Sequence, residues 1–347
     1  MQYDALLIVS FGGPERQEDV IPFLENVLRG KNVPRERMLK VAEHYYHFGG
    51  KSPINDQNRA LIGALECEFK THRQSLPIYW GNRNWQPMLA DTLRQMGADG
   101  IRRALAFVTS AFGSYSGCRQ YREDIERARI EAGPDAPEVH KLRTFHNHPA
   151  FIQAAADRVR MALDQIPVHR RASAPVVFTA HSIPLWMAET SPYLSQLQES
   201  CQLVSQTLGR PSGALVYQSR SGPIAQPWLG PDICDYIRQL HGRAVTDIVI
   251  APIGFLSDHM EVIYDLDTEA HALCRELGVN LTRAATVGVH PAFVSMIREL
   301  MLERTSGRER RALGTLGPGC DFCEPGCCIA NRIPGTLERT AGGRVTA

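Results

Sequence analysis

Two histidine-bearing segments of the chain could act together on a metal ion and on protons. His181 ends an apolar run, and His259 and Glu261 follow another one. If the two runs are neighbouring strands, the imidazole of His181 faces the carboxylate of Glu261 across one cleft. A histidine at a strand end is partly desolvated, which favours its neutral form and suits a general base near neutral pH. A lone histidine after a strand is usually structural, so the assignment depends on the acidic residues nearby.

Three carboxylates follow the second histidine at regular intervals. Glu261, Asp265 and Glu269 are spaced i, i+4, i+8, so on a helix they lie along one face. Like charges at this spacing repel each other, and no Lys or Arg is interleaved before Arg275. A divalent cation relieves the repulsion, and carboxylate oxygens are suitable ligands for one. The pattern therefore predicts that this segment handles a divalent metal ion, with a bland solvated face as the alternative.

Aromatic residues in loops indicate a flat apolar ligand. Phe11, Tyr115, Trp228 and Phe255 each lie in a Gly-, Ser- or Pro-rich loop at a predicted strand end. Core packing usually places aromatics inside helices and strands, whereas a flat ligand needs them on the walls of a cleft. The glycine-rich turn around Ser52 offers backbone N–H groups to an anion, with a simple capped turn as the alternative. Its spacing is not that of a nucleotide-binding P-loop.

Nine cysteines are unevenly distributed, and four of them fall within nine residues near the C-terminus: Cys320, Cys323, Cys327 and Cys328. In a cytosolic chain such density is typical of metal binding rather than of disulfides. Zinc and an iron–sulfur cluster both suit thiolates, and the spacing does not choose between them. The two adjacent cysteines can hardly bind one ion together without strain. An internal cysteine such as Cys118 is therefore a candidate for the fourth ligand.

Short β-branched runs alternate with longer amphipathic segments, which indicates parallel sheets covered by helices on both faces. The predicted strands are Ala5–Ser10, Pro77–Trp80, Arg103–Thr109, Pro175–His181, Gly213–Gln218, Asp247–Pro252 and Asn280–Ala285. The predicted helices include Asp19–Leu28, Gln57–Glu66, Gln86–Met96, Cys118–Ala132, Pro149–Ile166, Pro192–Leu208, Gly230–Leu240, Thr268–Leu277 and Pro291–Glu303. Ligands of open α/β sheets sit outside the carboxyl ends of the strands, where the candidate residues lie.

The fold class predicted from this pattern is α/β, with two similar Rossmann-like halves and one cleft between them. The halves comprise residues 1–165 and 175–304, and Val168–Ala174 is a plausible linker. A C-terminal extension, residues 305–347, carries the cysteine cluster, and its Gly-, Thr- and Arg-rich end from Ile333 is expected to fray.

The overall composition limits the kinds of binding partner that can be expected. Basic and acidic residues number 38 and 37, so no overall charge favours nucleic acid or an anionic membrane. The N-terminus has no basic region of the kind that precedes a signal sequence, and it reads as the first strand. No apolar run is long enough to predict a transmembrane helix. The expected location is the cytoplasm.

With these residues in place, the chain resembles the ferrochelatases, metal-inserting lyases of haem synthesis. The resemblance spans nearly the whole length and is specific because several motifs occur in one order. These motifs are Ser10–Glu15, His47–Ile54, Thr179–Pro184, Gln218–Pro223 and Ser257–Glu261. The resemblance implies two Rossmann-like halves that hold a porphyrin between them, with Fe²⁺ and the porphyrin as substrates.

Site residues can be carried over from this resemblance position by position. It implies that His181 and Glu261 are the catalytic metal site, and that Asp265 and Glu269 belong to the metal path. Phe11 stands where other members carry Tyr or Met, and a phenylalanine cannot ligate the product iron. The implied porphyrin contacts are Phe11, Arg29, His44, Tyr45, Ser52, Tyr121, Trp228, Phe255 and His259.

Three further segments, Pro22–Gly30, Ala42–Phe48 and Gly81–Trp85, resemble the actinobacterial-type enzymes. Those enzymes use coproporphyrin III rather than protoporphyrin IX. Many of them hold a [2Fe-2S] cluster on C-terminal cysteines, often with one internal cysteine. The resemblance therefore implies coproporphyrin III as the porphyrin and a [2Fe-2S] cluster as cofactor.

The cysteine spacing agrees only in part with the animal enzymes. Cys320, Cys323 and Cys328 reproduce their Cys-x₂-Cys-x₄-Cys spacing, but their internal cysteine aligns with Ala154 of this chain. We interpret Cys327 or Cys118 as the substitute ligand.

Three alternatives remain open at this point. The porphyrin could be protoporphyrin IX. The chain could be a haem or metal carrier that binds and does not insert. It could also be a cobalt or nickel chelatase for another tetrapyrrole, although such enzymes commonly present paired histidines where this chain has His181 and Glu261. The sequence is compatible with a monomer or a homodimer.

Overall fold

A computed structural model of the protein describes residues 2–31, 33–222 and 225–329. It contains two four-stranded parallel sheets of identical strand order, β2-β1-β3-β4 and β6-β5-β7-β8. This confirms the predicted α/β class with two similar halves. The strands are β1 Ala5–Ser10, β2 Ile78–Asn82, β3 Arg103–Val108, β4 Glu138–Lys141, β5 Val176–His181, β6 Ala214–Gln218, β7 Asp247–Ala251 and β8 Asn280–Arg283.

Helices cover both faces of each sheet, and two π-helical segments interrupt the regular pattern. The π segments are Tyr115–Arg119 and Ile263–Ala270. The α-helices are α1 Val20–Leu28, α2 Arg35–His47, α3 Ile54–Thr71, α4 Leu89–Ala98, α5 Gln120–Ala132, α6 Pro149–Leu163, α7 Val168–Arg171, α8 Leu185–Glu189, α9 Tyr193–Thr207, α10 Ile233–Gly242, α11 Met260–Val262, α12 His271–Leu277 and α13 Pro291–Ser306.

The central strand of each sheet explains where a ligand can bind. All six residues of β1 are buried, and in β5 only the last residue, His181, is partly exposed. Continuous apolar strands of this kind are possible because helices cover both faces. In both sheets the chain runs to one side of the central strand first and then to the other. The carboxyl ends of β1 and β5 are therefore the switch points at which open α/β sheets bind ligands.

A repeated sequence opens the helices that join the two halves. His148-Pro149-Ala150-Phe151 begins α6 and His290-Pro291-Ala292-Phe293 begins α13. In both helices Nδ1 of the histidine accepts a hydrogen bond from the backbone N–H two residues later, at 3.2 Å. Proline follows at the first turn, where its missing N–H costs nothing. The rings of Phe151 and Phe293 meet in the shared core, with centroids 6.4 Å apart.

The structure corrects several predicted boundaries. All seven predicted strands are present with end shifts of a few residues, but β4 and α2 were not predicted. Strand β4 is partly exposed and contains charged residues, so its sequence lacks the apolar pattern of the other strands. The predicted linker contains the short helix α7. The domain limits at residues 165, 175 and 304 remain predictions.

The C-terminal extension leaves α13 at Gly307 and packs against the rest of the chain as far as it is described. The buried Arg143 forms an ion pair at 2.6 Å, at the start of the extension, with Glu303, whose side chain is 5% exposed. The predicted fraying segment from Ile333 lies outside the described residues. None of the helices in the described ranges is both long and apolar enough to cross a lipid bilayer.

Candidate functional site

The imidazole of His181 lies at the carboxyl end of β5, beside the carboxylate of Glu261. Nε2 of His181 is 3.7 Å from Oε1 of Glu261. The other ring nitrogen, Nδ1, is 2.5 Å from the carbonyl oxygen of Ser182, and Tyr193 donates a hydrogen bond to the carbonyl of His181 at 3.0 Å. The ring is thus held with one nitrogen bound to the backbone and the other directed at a carboxylate. Such an orienting contact is typical of histidines that bind metals.

The charges of this pair stabilise each other. Burial alone would lower the pKa of His181, but the Glu261 carboxylate and the Ser182 carbonyl outweigh it, and the pKa is raised above its usual value. Burial likewise opposes ionisation of Glu261, yet the attraction of His181 and His259 lowers its pKa to about 2. The pKa of His181 therefore shifts in the direction opposite to the one expected from burial alone, because a carboxylate this close has the larger effect.

Two carboxylates of the predicted metal path, Asp265 and Glu269, lie on the π-helix Ile263–Ala270, and Glu261 lies just before it in α11. A π-helix has a wider turn than an α-helix, and such segments occur frequently at functional sites. Asp265 accepts hydrogen bonds from the Ser219 hydroxyl and, at 3.3 Å, from the side-chain amide of Gln218. The pKa of Asp265 is raised to about 7 by burial and by the neighbouring carboxylates, and Ser219 only partly offsets this.

Glu269 continues the acidic series in the direction away from His181. Its pKa is raised by burial and by the nearby Asp232. Glu261 and Glu269 therefore both increase the cost of ionising Asp265 between them, which is the electrostatic situation that a bound cation relieves. Neither Ser219 nor Gln218 was predicted as part of this path. The signal that could have identified them is their position directly at the carboxyl end of β6.

His259 begins the short helix α11 and contributes to the site through its position. Its Nδ1 accepts a hydrogen bond from the backbone N–H of Glu261 at 3.2 Å. Its ring meets the edge of Phe255 at a centroid distance of 5.1 Å. Burial and the nearby His181 lower the pKa of His259 against the effect of Glu261, so the ring favours its neutral form. His259 thereby fixes the backbone that carries Glu261.

Phe11 follows the switch point of the first sheet and is partly exposed, as a cleft wall requires. The guanidinium of Arg83 lies over the Phe11 ring at 5.7 Å and over the Tyr121 ring at 4.4 Å. Arg83 also forms a buried ion pair with Asp124. Arg83 was not predicted, although its place directly after β2 is a strand end like those that were considered.

Two predicted porphyrin contacts are more buried than expected. Ser52 is 2% exposed and Tyr121 is 5% exposed. Gly13 packs so closely on Ser52 that a side chain at Gly13 would meet the Ser52 Cβ at 2.7 Å. Ser52 lies beneath the loop that carries Gly13, and Tyr121 lies beneath the guanidinium described above. Arg29 differs, since it is exposed at the end of α1 and donates to Asn26 at 2.6 Å.

His44 and Tyr45 lie at the end of α2 and face the second half of the chain. The His44 ring stacks on Tyr264. Burial and the Glu261 carboxylate raise the pKa of Tyr45, which places its phenol within electrostatic reach of Glu261. The structure thus brings two predicted porphyrin contacts next to the predicted metal site. Tyr264 was not predicted as a site residue, and its place between acidic residues gave no separate signal.

The two aromatic residues predicted on the second wall differ in exposure. Trp228 is half-buried and packs on Gly222, where an added Cβ would lie 2.1 Å from the indole ring. Phe255 is 7% exposed and belongs to the core beneath the second sheet. Phe255 is thus more buried than a cleft-wall residue is expected to be, because the loop after β7 folds it inwards beside His259, and its contact with the porphyrin stays a prediction.

The cysteines form a second candidate site. Cys118, Cys323, Cys327 and Cys328 line one small cavity together with three cationic residues, Arg119, Arg122 and Lys141. The Cys320 side chain is exposed and does not line this cavity. In the described ranges no three His, Cys, Asp or Glu side chains are arranged to hold a single metal ion.

The fold and the first site together define a chelatase-type α/β protein. Comparison with solved structures gives the same fold: SirB from Bacillus subtilis with Fe³⁺ superposes with a TM-score of 0.54 at 12% identity, covering 88% of this chain and 98% of that one. A sirohydrochlorin chelatase SirB with cobalt, from Bacillus subtilis subspecies spizizenii, superposes with a TM-score of 0.51 at 14% identity, covering 88% and 98%.

Sequence comparison then identifies the family. The family model described as Ferrochelatase matches residues 3–305, and the chain belongs to the ferrochelatase family. It is 58% identical to a ferrochelatase of Rhodopirellula baltica, over 99% of this chain and 97% of that protein. It is 49% identical to the coproporphyrin III ferrochelatase of Nocardia farcinica, over 98% of this chain and 100% of that protein.

Proposed function

We propose that the protein inserts Fe²⁺ into coproporphyrin III, with His181 and Glu261 as the catalytic pair. The observation that carries the proposal is the 3.7 Å approach of the two side chains at the switch point of the second sheet. Membership of the ferrochelatase family supports the reaction, and similarity to coproporphyrin III ferrochelatases supports the choice of porphyrin.

The chemistry follows from the charges of this pair. Insertion has to remove two pyrrole protons and exchange the oxygen ligands of the iron for four nitrogens. Glu261 favours the protonated form of His181, and an approaching divalent cation reverses this preference, so that the imidazole gives up its proton to solvent. The neutral imidazole then accepts the two pyrrole protons one after the other and passes the first to solvent before it takes the second. Glu261 retains its negative charge throughout.

Metal supply is assigned to the acidic series. Glu269, Asp265 and Glu261 offer oxygen ligands in succession, which allows Fe²⁺ to lose water stepwise. The π-helical backbone carries Asp265 and Glu269, and Ser219 orients Asp265. This arrangement supports a path that ends at the catalytic pair.

Porphyrin binding is assigned to the cleft between the halves. Phe11 and Trp228 supply aromatic surface, and close walls that bend the ring account for ~1–5 kcal/mol of strain. The exposed guanidinium of Arg29 is the propionate contact that the structure favours. The two buried hydroxyl groups, of Ser52 and Tyr121, reach a propionate only after a shift of the covering loops. His44, Tyr45, Phe255 and His259 complete the proposed lining.

We propose in addition that the cysteines near the C-terminus hold an iron–sulfur cluster. Its support is the convergence of thiols beside three cationic side chains, since a thiolate-bound cluster is anionic. The cations offset part of the cost of placing that charge in a partly buried site. The proposed cluster is a cofactor separate from the Fe²⁺ that is the substrate.

The test is an anaerobic assay with Fe²⁺ that follows loss of porphyrin fluorescence. Coproporphyrin III and protoporphyrin IX are offered separately to the wild type, to His181→Ala and to His241→Ala, an exposed histidine on α10 that serves as control. We expect many turnovers with coproporphyrin III, and a loss of at least ~10²-fold in kcat for His181→Ala with porphyrin binding retained. Preference for protoporphyrin IX would refute the porphyrin assignment. A wild-type rate in His181→Ala would refute the catalytic one.

The same assay distinguishes an enzyme from a carrier, which is the alternative function. A carrier binds the porphyrin or the metal and stops at one equivalent, whereas an enzyme continues. Formation of no more than one product per chain, with excess substrates present, would favour the carrier.

A further inference from the structure

The side-chain amide of Gln57, in the first half, holds Asp258 of the second half by both of its backbone groups. Oε1 of Gln57 accepts a hydrogen bond from the Asp258 N–H at 2.8 Å, and Nε2 donates one to the Asp258 carbonyl oxygen at 3.3 Å. The two residues are 201 positions apart in the chain. A primary amide that satisfies the donor and the acceptor of one residue fixes both its distance and its orientation.

Asp258 lies on the loop that leads to Glu261. The next residue, His259, donates its backbone N–H to the Ser257 carbonyl oxygen at 3.0 Å and begins α11, which carries Glu261. From within the second half, Arg283 at the end of β8 donates to the Asp258 carboxylate at 2.8 Å. Asp258 is thus the point at which side chains of both halves hold the loop that places Glu261.

Gln57 belongs to the first turn of α3, and the residues just before it are bonded to the loop after β1. The backbone N–H of Ser52 donates to the Pro14 carbonyl oxygen at 2.8 Å. Asn55 is buried, and its side-chain amide donates to the Gly13 carbonyl oxygen at 3.3 Å. The same short segment therefore contacts the loop after β1 on one side and the loop before α11 on the other.

The rest of α3 is packed so that its first turn cannot move independently of the core. Leu61, Leu65 and Phe69 recur every four residues, so they share one helix face, and all three are buried in the core shared by the two sheets. Further along, the carboxylate of Glu68 accepts a hydrogen bond from Arg298 of α13 at 2.7 Å. A side chain at the start of such a helix can set a distance, because the helix itself is fixed.

We propose that Gln57 is a positioning residue for iron insertion, which sets the spacing between the loop that carries Phe11 and the loop that leads to Glu261. The inference rests on the proposed function, in which the porphyrin lies between these two loops. Glu261 has to meet the iron while the macrocycle lies against the other wall, and reacting groups work only when they are held close to the productive geometry. Gln57 contacts neither substrate and acts through Asp258.

The first test is the anaerobic assay of the full-length protein with Fe²⁺ and coproporphyrin III, each varied in turn. Gln57→Met keeps the length of the side chain and removes both hydrogen bonds, and Gln198→Met makes the same change at an exposed residue of α9. We expect kcat to fall about 10-fold in Gln57→Met, since a small misplacement of reacting groups has an effect of this order. The KM for the porphyrin should stay within about 2-fold, and Gln198→Met should keep the wild-type constants.

Hydrogen exchange followed by mass spectrometry separates positioning from a general loosening of the fold. Because Gln57 is the acceptor for the Asp258 N–H, the peptide that covers residues 256–262 should exchange about 5-fold faster in Gln57→Met, the factor that one lost hydrogen bond corresponds to. Peptides from α3 and β7 should exchange at the wild-type rate. The measurement needs neither substrate, so it does not depend on turnover.

Three outcomes overturn the inference. The first is a wild-type kcat in Gln57→Met. The second is equal acceleration of exchange in α3 and in the loop, which would make the effect a loss of general stability. The third is a rise in the KM for the porphyrin as large as the fall in kcat, which would make Gln57 a porphyrin contact. A wild type that does not turn over refutes the proposed function itself, which distinguishes the two failures.

Discussion

The imidazole of His44 stacks on the ring of Tyr264, with centroids 3.6 Å apart and planes 6° from parallel. His44 belongs to α2 in the first half, and Tyr264 belongs to the π-helix that also carries Asp265. A second contact between the halves lies nearby, where Gln57 and Asp258 exchange hydrogen bonds at 2.8 and 3.3 Å. The proposed metal path is thus built on a segment that the first half holds in place.

Removing the aromatic ring at Tyr264 should loosen this connection. Tyr264→Ala should lower the free energy of unfolding by about 1 kcal/mol beyond the effect of lost buried area, since stacked rings contribute on this order. Tyr264→Phe retains the ring and is the matched control, for which we expect a change below about 0.5 kcal/mol. Urea titration of both variants measures the difference. Equal losses in the two variants would show that the hydroxyl, and not the stack, matters.

Replacing Asp265 should weaken the binding of Fe²⁺ and not that of the porphyrin. Asp265→Asn keeps the shape of the side chain but removes a negative oxygen from the proposed path. We expect the KM for Fe²⁺ to rise about 10-fold, because roughly 1–2 kcal/mol of a charge-assisted contact is lost. The KM for the porphyrin should remain within about 2-fold. Steady-state assays with one substrate varied at a time measure both constants.

The control for this change lies on the same π-helix. Asp267 forms an ion pair with Arg283 at 2.5 Å and is not part of the proposed path. Asp267→Asn should leave the KM for Fe²⁺ unchanged. A similar rise in both variants would indicate a general effect of charge on the helix, and no specific path through Asp265.

The proximity of His181 and Glu261 could be predicted from sequence because parallel strands leave little freedom at their ends. His181 ends β5, the loop that carries Glu261 follows β7, and these two strands are neighbours in the sheet. A strand end fixes a side chain's position to within a few ångströms. The shift in the pKa of His181 could not be predicted in the same way, because the direction of that shift depends on the distance to Glu261.

The burial of Ser52, Tyr121 and Phe255 could not be predicted from the sequence, for a different reason. A loop residue is buried or exposed according to which other loops cover it, and those loops come from distant parts of the chain. The same holds for Cys118, which meets cysteines of the extension more than 200 residues later. Local pattern identified each of these residues as a candidate but did not show its neighbours.

Glu199 should control the attachment of the C-terminal extension. Its carboxylate accepts hydrogen bonds from the backbone N–H groups of Thr315, at 2.6 Å, and Leu316, at 2.9 Å, and from the Asn147 amide at 3.0 Å. Glu199→Ala removes the acceptor of these bonds, and losing such charge-assisted bonds costs roughly 1–3 kcal/mol. We expect trypsin to cleave after Arg310 and Arg311 about 10-fold faster.

Gln198, the exposed neighbour on the same helix, provides the control for this change. Gln198→Ala should be cleaved at the wild-type rate, as measured by gel densitometry under limiting protease. If Glu199→Ala is also cleaved at that rate, the carboxylate does not hold the extension.

The buried His146 should make the fold sensitive to mild acid. Burial lowers its pKa to about 4, although the Glu199 carboxylate 3.2 Å away acts in the opposite direction and Arg143 adds to the lowering. In the unfolded chain a histidine takes up its proton near pH 6.5. Between about pH 6.5 and pH 4 the unfolded state therefore binds more protons than the folded state, and the free energy of unfolding falls as the pH falls.

The size of this effect can be measured by substitution. A lowered pKa of this magnitude corresponds to about 2 kcal/mol lost between pH 7 and pH 5. His146→Gln, which cannot take up a proton, should lose correspondingly less over the same interval, whatever its stability at pH 7. His169→Gln, at an exposed histidine of α7, should retain the wild-type dependence. Urea titrations of the three proteins at both pH values give the comparison, and an unchanged pH dependence in His146→Gln would mean that His146 is not the group that titrates.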